Sequence, residues 1–527
     1  MGIIDMVFFW VLLVNALLIV NASSRNLPFA YQNELQRHCS STKYTSLCVQ
    51  NLREFRHGSL DGLDFVSVLV NKTISDSNLL IPPLSSSMGS SELVSLEDST
   101  YTLPSPSVSD SCERLMKMST RRLRQAMEAL NGSSRKRHTK HDVQTWLSAA
   151  ITFQQACKDS ILDYRETSPS AAISHIKQKM DHLSRLVSNS LALVDTIMQN
   201  PKPKTKSTGL PRWVTAGERR LLAGRARAHV VVAKDGSGDY RTVMEAVTAA
   251  HANGRIHKHE ITLIGEGKDE TVIVGDDSAT GGTSVPDTAT MTVTGDGFIA
   301  RDIGIKNTAG PGGHQAIALS ITSDQSVLYR CSISGYQDTL YAAALRQFYR
   351  ECDIYGTIDF IFGNAAAVFQ SCNIFLRRPH GVKAYNVILA NGRTDQLQNT
   401  GFALHSCRIR TDSDLSPVKH MYSSYLGRPW RKYSRSIVME SYIDDAIAEE
   451  GWAGWLDSGD EVLKTLYFGE FKNYGPKARV SKRVTWEGFH LIGFEDASYF
   501  SVVKKRKGED VTNGFKYKIK IKIQYRD

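Results

Sequence analysis

The chain has 527 residues, 41% hydrophobic and 22% charged, a globular composition long enough for two folded units. Its 64 Lys and Arg against 54 Asp and Glu leave a formal charge of +10, which suits a polyanionic surface or substrate. No helix-turn-helix, zinc-finger or RNA-binding signature accompanies that charge, so an acidic polysaccharide is expected as partner and nucleic acid is not.

The N-terminus, "MGIIDMVFFWVLLVNALLIVNASS", is an apolar run of secretory-signal length, read here as a signal peptide over residues 1–23. Asp5 and the lack of a leading Lys or Arg leave an uncleaved anchor as the other reading. Either way the remainder leaves the cytosol. Eight cysteines without a C-x-x-C pair, and no histidines at zinc spacing, point to disulfides and not to metal. Cys39 and Cys48 close a short loop and Cys112 and Cys157 a longer one. Asn71 in "NKT" and Asn131 in "NGS" are glycosylation sequons.

Residues 27–199 carry apolar residues at three- and four-residue spacing, as in "DVQTWLSAAITFQQACKDSILDY", which predicts a small helical bundle interrupted by a Ser-rich loop. Residues 200–228, rich in Pro, Gly and basic residues, read as an exposed linker. "RRLL", Arg219, Arg220, Leu221 and Leu222, lies within it as a candidate processing site.

After Val230 the texture changes to short β-branched runs broken by glycine. The element Cys-x-Ile recurs at Cys331, Cys352, Cys372 and Cys407, and a relative, "ARDIGI", ends at Ile305. The first intervals, 21 and 20 residues, predict a parallel β-solenoid whose coils stack about 4.8 Å apart. Cys331 and Cys352 then fall on adjacent coils within disulfide reach.

The same ruler applies to polar residues. Gln315, Gln337 and Asp359 are spaced 22 and 22, so one-coil periodicity stacks them in a ladder with Asp338 beside it. Two carboxylates flanked by amides and aromatics are the layout of acid and nucleophile chemistry. A polar ladder that merely stabilises the stack is the competing reading. "YLGRPW" adds Arg428, suited to pair with Asp359, and Trp430, suited to receive a sugar face. No G-x-S-x-G elbow is present, so Asp or Glu must carry any chemistry.

"NTAGPGGHQAIAL", "GYQDTLY", "RQFYRECDIYGTIDFIFGNAAAVFQ" and "YLGRPW", in this order and spacing, resemble plant pectin methylesterases (pectinesterases). "CSSTKYTSLC" and "DVQTWLSAAITFQQAC" resemble the pectin methylesterase inhibitor domain that many of these enzymes carry as a pro-region. The resemblance implies an all-β, right-handed parallel β-helix over residues 229–503, preceded by an all-α four-helix bundle over 27–199. It implies hydrolysis of homogalacturonan methyl esters in the cell wall without metal or organic cofactor.

In that mechanism Asp359 is the nucleophile, Asp338 the general acid and then base, Gln315 and Gln337 the oxyanion donors, and Arg428 the group that orients Asp359. Gln315, Arg428, Trp430, Tyr336 and Phe360 line the substrate subsites. The resemblance further implies an autoinhibitory bundle with Cys112–Cys157 and Cys39–Cys48 disulfides, cleavage at "RRLL" by a subtilisin-like protease, and separate inhibitor proteins as further partners.

Three features depart from the family pattern. "HANGRIHKHE", between Ala250 and Ile261, stands where the family has a longer segment with a strand and a Gly-x-Tyr-x-Glu motif, so most of an early coil is missing. Val285 occupies the position of a substrate-contacting threonine. Residues 504–527 end in "KYKIKIKIQYRD", an atypical basic tail that alternates like a strand. The missing coil motivates an alternative reading, a catalytically impaired pectin-binding wall protein.

Overall fold

The structure, a computed structural model, describes residues 29–53, 62–78, 106–131, 138–162, 171–198, 210–211, 213–223, 228–252, 261–381, 384–455, 459–501 and 517–522. The expected signal peptide lies outside the described residues.

Four helices, α3 (Gly62–Asn78), α4 (Pro106–Leu130), α5 (Lys140–Leu162) and α6 (Ala171–Ile197), pack as a bundle, preceded by a hairpin of α1 (Phe29–Cys39) and α2 (Thr45–Arg53). In α5 the apolar positions Val143, Leu147, Ala150 and Phe153 recur every three or four residues. All four are buried in the bundle core. Cys39–Cys48 fastens the hairpin and Cys112–Cys157 ties α4 to α5. Asn71 and Asn131 are both exposed.

Of the expected exposed linker, residues 210–211, 213–223 and 228 are described, and part of that segment is packed down. "RRLL" lies in the short helix α7 (Ala216–Leu222), and Leu222 is buried with Val214 against Ile299, Val327 and Phe348 of the second domain. Trp213, Val214 and Leu222 supply enough apolar surface to hold this segment on the outer face of a sheet. Arg220 remains exposed.

From Val230 the strands of the described residues form three parallel sheets of eleven, six and seven strands, the architecture of a parallel β-helix. The Cys-x-Ile repeat has a direct explanation. In-register pairing aligns Ile305, Ile333, Ile354, Ile374 and Ile409 in one column, continued by Ile443, each at most 1% exposed.

The expected Cys331–Cys352 disulfide is absent. Cys331, Cys352, Cys372 and Cys407 are four buried thiols whose sulfurs neighbour one another or nearby carbonyls such as Tyr329 O. Parallel side chains on stacked coils keep their Cβ atoms near the coil spacing of about 4.8 Å. A disulfide needs about 3.8 Å.

The eleven-stranded sheet has an unexpected member. Strand Tyr517–Lys522, from the C-terminal tail, lies between Val230–Ala233 and Ile261–Ile264 and runs parallel to both.

The bundle docks on turns of the β-helix. Ala344 and Leu345, between strands Leu340–Ala342 and Arg346–Arg350, are buried in the bundle's own core. Arg346 is clamped between Asp324 (2.6 Å) and Asp142 of α5 (2.5 Å), and Trp146 Nε1 donates to Asp324 at 3.1 Å. Arg122 of α4 grips Asp296 with two bonds of 2.7 Å.

Candidate active site

Asp338 precedes strand Leu340–Ala342 and Asp359 precedes strand Ile361–Gly363. Leu340 pairs with Ile361; carried back two residues, that register sets Asp338 beside Asp359. The bond from Asp338 N–H to Ile358 O, 3.0 Å, fits it. Both aspartates have positive φ, 60° and 51°, a region that non-glycine residues enter only under constraint.

The expected ladder therefore needs one correction. Gln315 does pair with Gln337 across an isolated bridge, but the neighbour of Asp359 on the coil below is Asp338, not Gln337. The cause is a bulge: the N–H groups of Ala318 and Leu319 both donate to Thr339 O, at 2.9 and 3.2 Å. One extra residue between Gln315 and Leu319, opposite Gln337 to Leu340, makes the Gln315–Gln337 interval 22, while the step from Asp338 to Asp359 is 21.

The two carboxyls have unequal environments. Arg428 Nε donates to Asp359 Oδ1 at 2.8 Å and its Nη2 donates to Asp359 Oδ2. Burial pushes the Asp359 carboxyl up, and the guanidinium opposes that push. Asp338 has no such partner among the described residues; burial first, then the Asp359 charge, holds its carboxyl well above the usual range, with the pull of Arg428 against them. Of the two, Asp338 is thus the weaker acid and Asp359, paired with Arg428, the stronger.

The side-chain amides of Gln315 and Gln337 make no hydrogen bond among the described residues, and both side chains keep some exposure. They are available to a ligand on the face that carries the carboxyl pair.

Aromatic rings continue this face. Tyr341 and Phe362 stack at 4.6 Å, and Trp430 meets the edge of Phe362 at 6.1 Å. Gly392 makes room for Trp430, since a Cβ there would lie 2.7 Å from the indole. Tyr336 is pinned by Arg377, which donates to its hydroxyl at 2.6 Å and stacks on the ring at 3.8 Å.

Phe360 is not a lining residue. It is fully buried in the β-helix core with Ile361, and the ring that faces outward is Phe362. The expectation for Phe360 came from the family resemblance alone, and the residue lies two positions from the outward ring, on the core side of the strand. Val285 packs with Ile317, Phe362 and Ala390 in the same outer cluster as Tyr341 and Trp430.

Two contributors went unrecognised in the sequence. Tyr385 accepts a bond from Arg428 Nη1 at 2.7 Å, and the Arg428 guanidinium lies 4.0 Å from the Trp455 ring centre. They sit outside the regular coil spacing, where a 20- to 22-residue ruler has no reach. The bundle approaches this face as well: Asp159 of α5 pairs with Arg431 at 2.8 Å, beside Trp430. Burial, and then Asp159, push the Tyr341 phenol up to about 12. Among the described residues no group of three or more His, Cys, Asp or Glu is placed to hold a metal ion.

A carboxyl pair in unequal surroundings on an aromatic-lined face of a parallel β-helix fits the class of hydrolases that act on carbohydrates. Comparison with known proteins narrows this class. Residues 229–509 match the family model "Pectinesterase", and residues 33–193 match "Plant invertase/pectin methylesterase inhibitor".

The chain is 91% identical over 524 residues to "Probable pectinesterase/pectinesterase inhibitor 54" of Arabidopsis thaliana, covering 99% of this chain and 100% of that protein. It is 42% identical over 400 residues to "Pectinesterase 2" of Citrus sinensis, covering 73% and 75% of the two. The carrot pectin methylesterase structure matches at 43% identity and a TM-score of 0.49, covering 52% of this chain and 91% of that one. The chain belongs to the pectinesterase family, in the form that carries an N-terminal inhibitor-type domain. Its activity is hydrolysis of the methyl esters of homogalacturonan, EC 3.1.1.11.

Proposed function

We propose that Asp359 attacks the methyl-ester carbonyl carbon while Gln315 and Gln337 donate to the developing oxyanion. Asp338 delivers its proton to the methoxy oxygen, methanol departs, and an Asp359 acyl-enzyme remains. Asp338, now ionised, takes a proton from water; the resulting hydroxide attacks the substrate acyl carbon, and Asp359 leaves as a carboxylate. Both protons are thereby accounted for. The observation that carries this division of labour is the bidentate Arg428–Asp359 contact beside an Asp338 with no cation of its own.

Tyr336 and Trp430, with Tyr341 and Phe362, supply ring faces for galacturonate residues on either side of the scissile ester. The bundle acts as an inhibitory pro-region, a reading supported by the Asp159–Arg431 contact at the edge of the aromatic row. The chain is secreted to the cell wall, glycosylated at Asn71 and Asn131, and cut at Arg219–Leu222 by a subtilisin-like protease. The alternative of an inactive pectin-binding protein has no support in the site, whose carboxyl pair and arginine are all in contact or in register.

The acid role is tested with Asp338→Asn on two galacturonate esters. Methanol release should fall by about 10²–10⁴-fold, and an ester whose alcohol is as acidic as a nitrophenol should lose far less. Equal losses on both esters would remove Asp338 from the acid role.

A further inference from the structure

We propose that the gap left by the shortened early coil is a strand-acceptor site, and that its occupant is the chain's own C-terminal strand, Tyr517–Lys522. Between Val230–Ala233 and Ile261–Ile264 the described chain contributes helix α8 (Val243–Ala252) and no strand; the first members of the other two sheets, Val272–Gly275 and Met291–Val293, come later. The two flanking strands do not pair with each other. Each pairs in parallel with Tyr517–Lys522 instead.

The register suits the sequence of the tail. Ile519 aligns with Val230 on one side and Leu263 on the other, and Ile521 aligns with Val232. Leu263 and Val232 belong to the β-helix core, and Val230 packs against it. The lysines at 518, 520 and 522 take the alternate positions, so the period-2 pattern of "YKIKIK" matches the pleat of its neighbours. A one-residue slip would exchange the two sets.

The chain is long enough to make this return. Phe500 stacks on Tyr467 near the far end of the same sheet. Eight strand spacings, roughly 38 Å at about 4.8 Å each, separate Tyr467–Phe471 from Tyr517–Lys522. The 17 residues from Phe500 to Tyr517 reach about 56 Å when extended. Without the tail, Val230–Ala233 and Ile261–Ile264 would stand about 9.6 Å apart, two spacings, with facing rows of unpaired N–H and C=O groups. Tyr517–Lys522 thus closes the sheet at this point, and the pairing of Val230–Ala233 and Ile261–Ile264 depends on its presence.

Hydrogen exchange on the full-length chain tests this. The amides of 517–522 should exchange at least about 100-fold more slowly than those of an unstructured peptide. In a chain ending at Val503, the amides of 230–233 and 261–264 should lose protection and the melting temperature should fall. A synthetic peptide of residues 514–524 should restore both. Ile519→Pro, which removes a ladder N–H, should mimic the truncation, and Ile519→Val should not.

Unprotected amides at 517–522 in the full chain would overturn the proposal, as would a truncated chain with unchanged exchange and melting. Should the truncated chain fail to fold, the exchange of 517–522 and the Pro and Val pair decide alone. Protection confined to a dimer would overturn the intrachain assignment and point to tail exchange between copies.

Discussion

Asp338 and Asp359 stand side by side on adjacent coils, both at positive φ, yet only Asp359 is held by a guanidinium. Identical side chains are thereby given different acidities by position alone.

Methanol release should follow a bell-shaped pH profile. Activity rises as Asp359 ionises, at a pH above the ordinary carboxylate range because burial outweighs Arg428. It falls when Asp338, held up by burial and the Asp359 charge, finally loses its proton. A profile of kcat/KM across pH 4–10 checks this, and a flat alkaline side would speak against Asp338 as the acid.

Arg428→Lys should move the acidic limb to higher pH and lower kcat by about 10–100-fold. Lysine keeps a charge but loses the two-point contact and the bond to Tyr385. The pH profile separates this role from a purely structural one, which would lower activity without moving the limb.

Asp338→Asn should stabilise the fold at neutral pH while impairing catalysis. Because the folded-state pKa of Asp338 is raised above its unfolded value, folding takes up a proton, and stability drains away as pH rises above about 4. Asparagine removes that loss. A rise in Tm of about 2–4 °C for each kcal/mol regained is expected at pH 7, shrinking toward pH 4.

Asp142→Ala should loosen the bundle in the uncut chain. Burial alone would raise the Asp142 carboxyl, but Arg346 and the Thr139 amide outweigh it and hold it below its usual value. Its contribution to docking is therefore intact above the ordinary carboxylate range and lost only as pH falls through the lowered value. Removing it should weaken docking by about 1–3 kcal/mol. Methanol release by the uncut chain should rise toward that of the cleaved enzyme, and an unchanged rate would argue against inhibition through this contact.

Trp213→Ala should speed trypsin cleavage after Arg219 and Arg220, since α7 is held on the β-helix by Val214, Leu222 and the flanking Trp213. Timed digestion of the folded chain measures it. Equal rates would mean that α7 opens independently of this packing.

The parts of the fold that repeat were legible in the sequence. The isoleucine column follows from Cys-x-Ile because parallel stacking places residues one coil apart in contact. The cysteines of the same repeat misled, since equal height on adjacent coils does not bring Cβ atoms close enough to bond. Phe360 was expected at the subsites from the family resemblance, whereas the structure buries it in the core and places Phe362 in the outer cluster. The alternation of the tail and the short span of the early segment relative to the resembled family were each visible in the sequence. Their pairing joins segments more than 250 residues apart, and no local periodicity encodes such a contact.

The most direct measurement is methanol release from methylesterified pectin by Asp359→Asn, with circular dichroism confirming an intact fold. A carboxamide cannot form the acyl-enzyme, so release should fall by about 10³-fold or more while pectin still binds. Activity within tenfold of the parent would contradict Asp359 as the nucleophile.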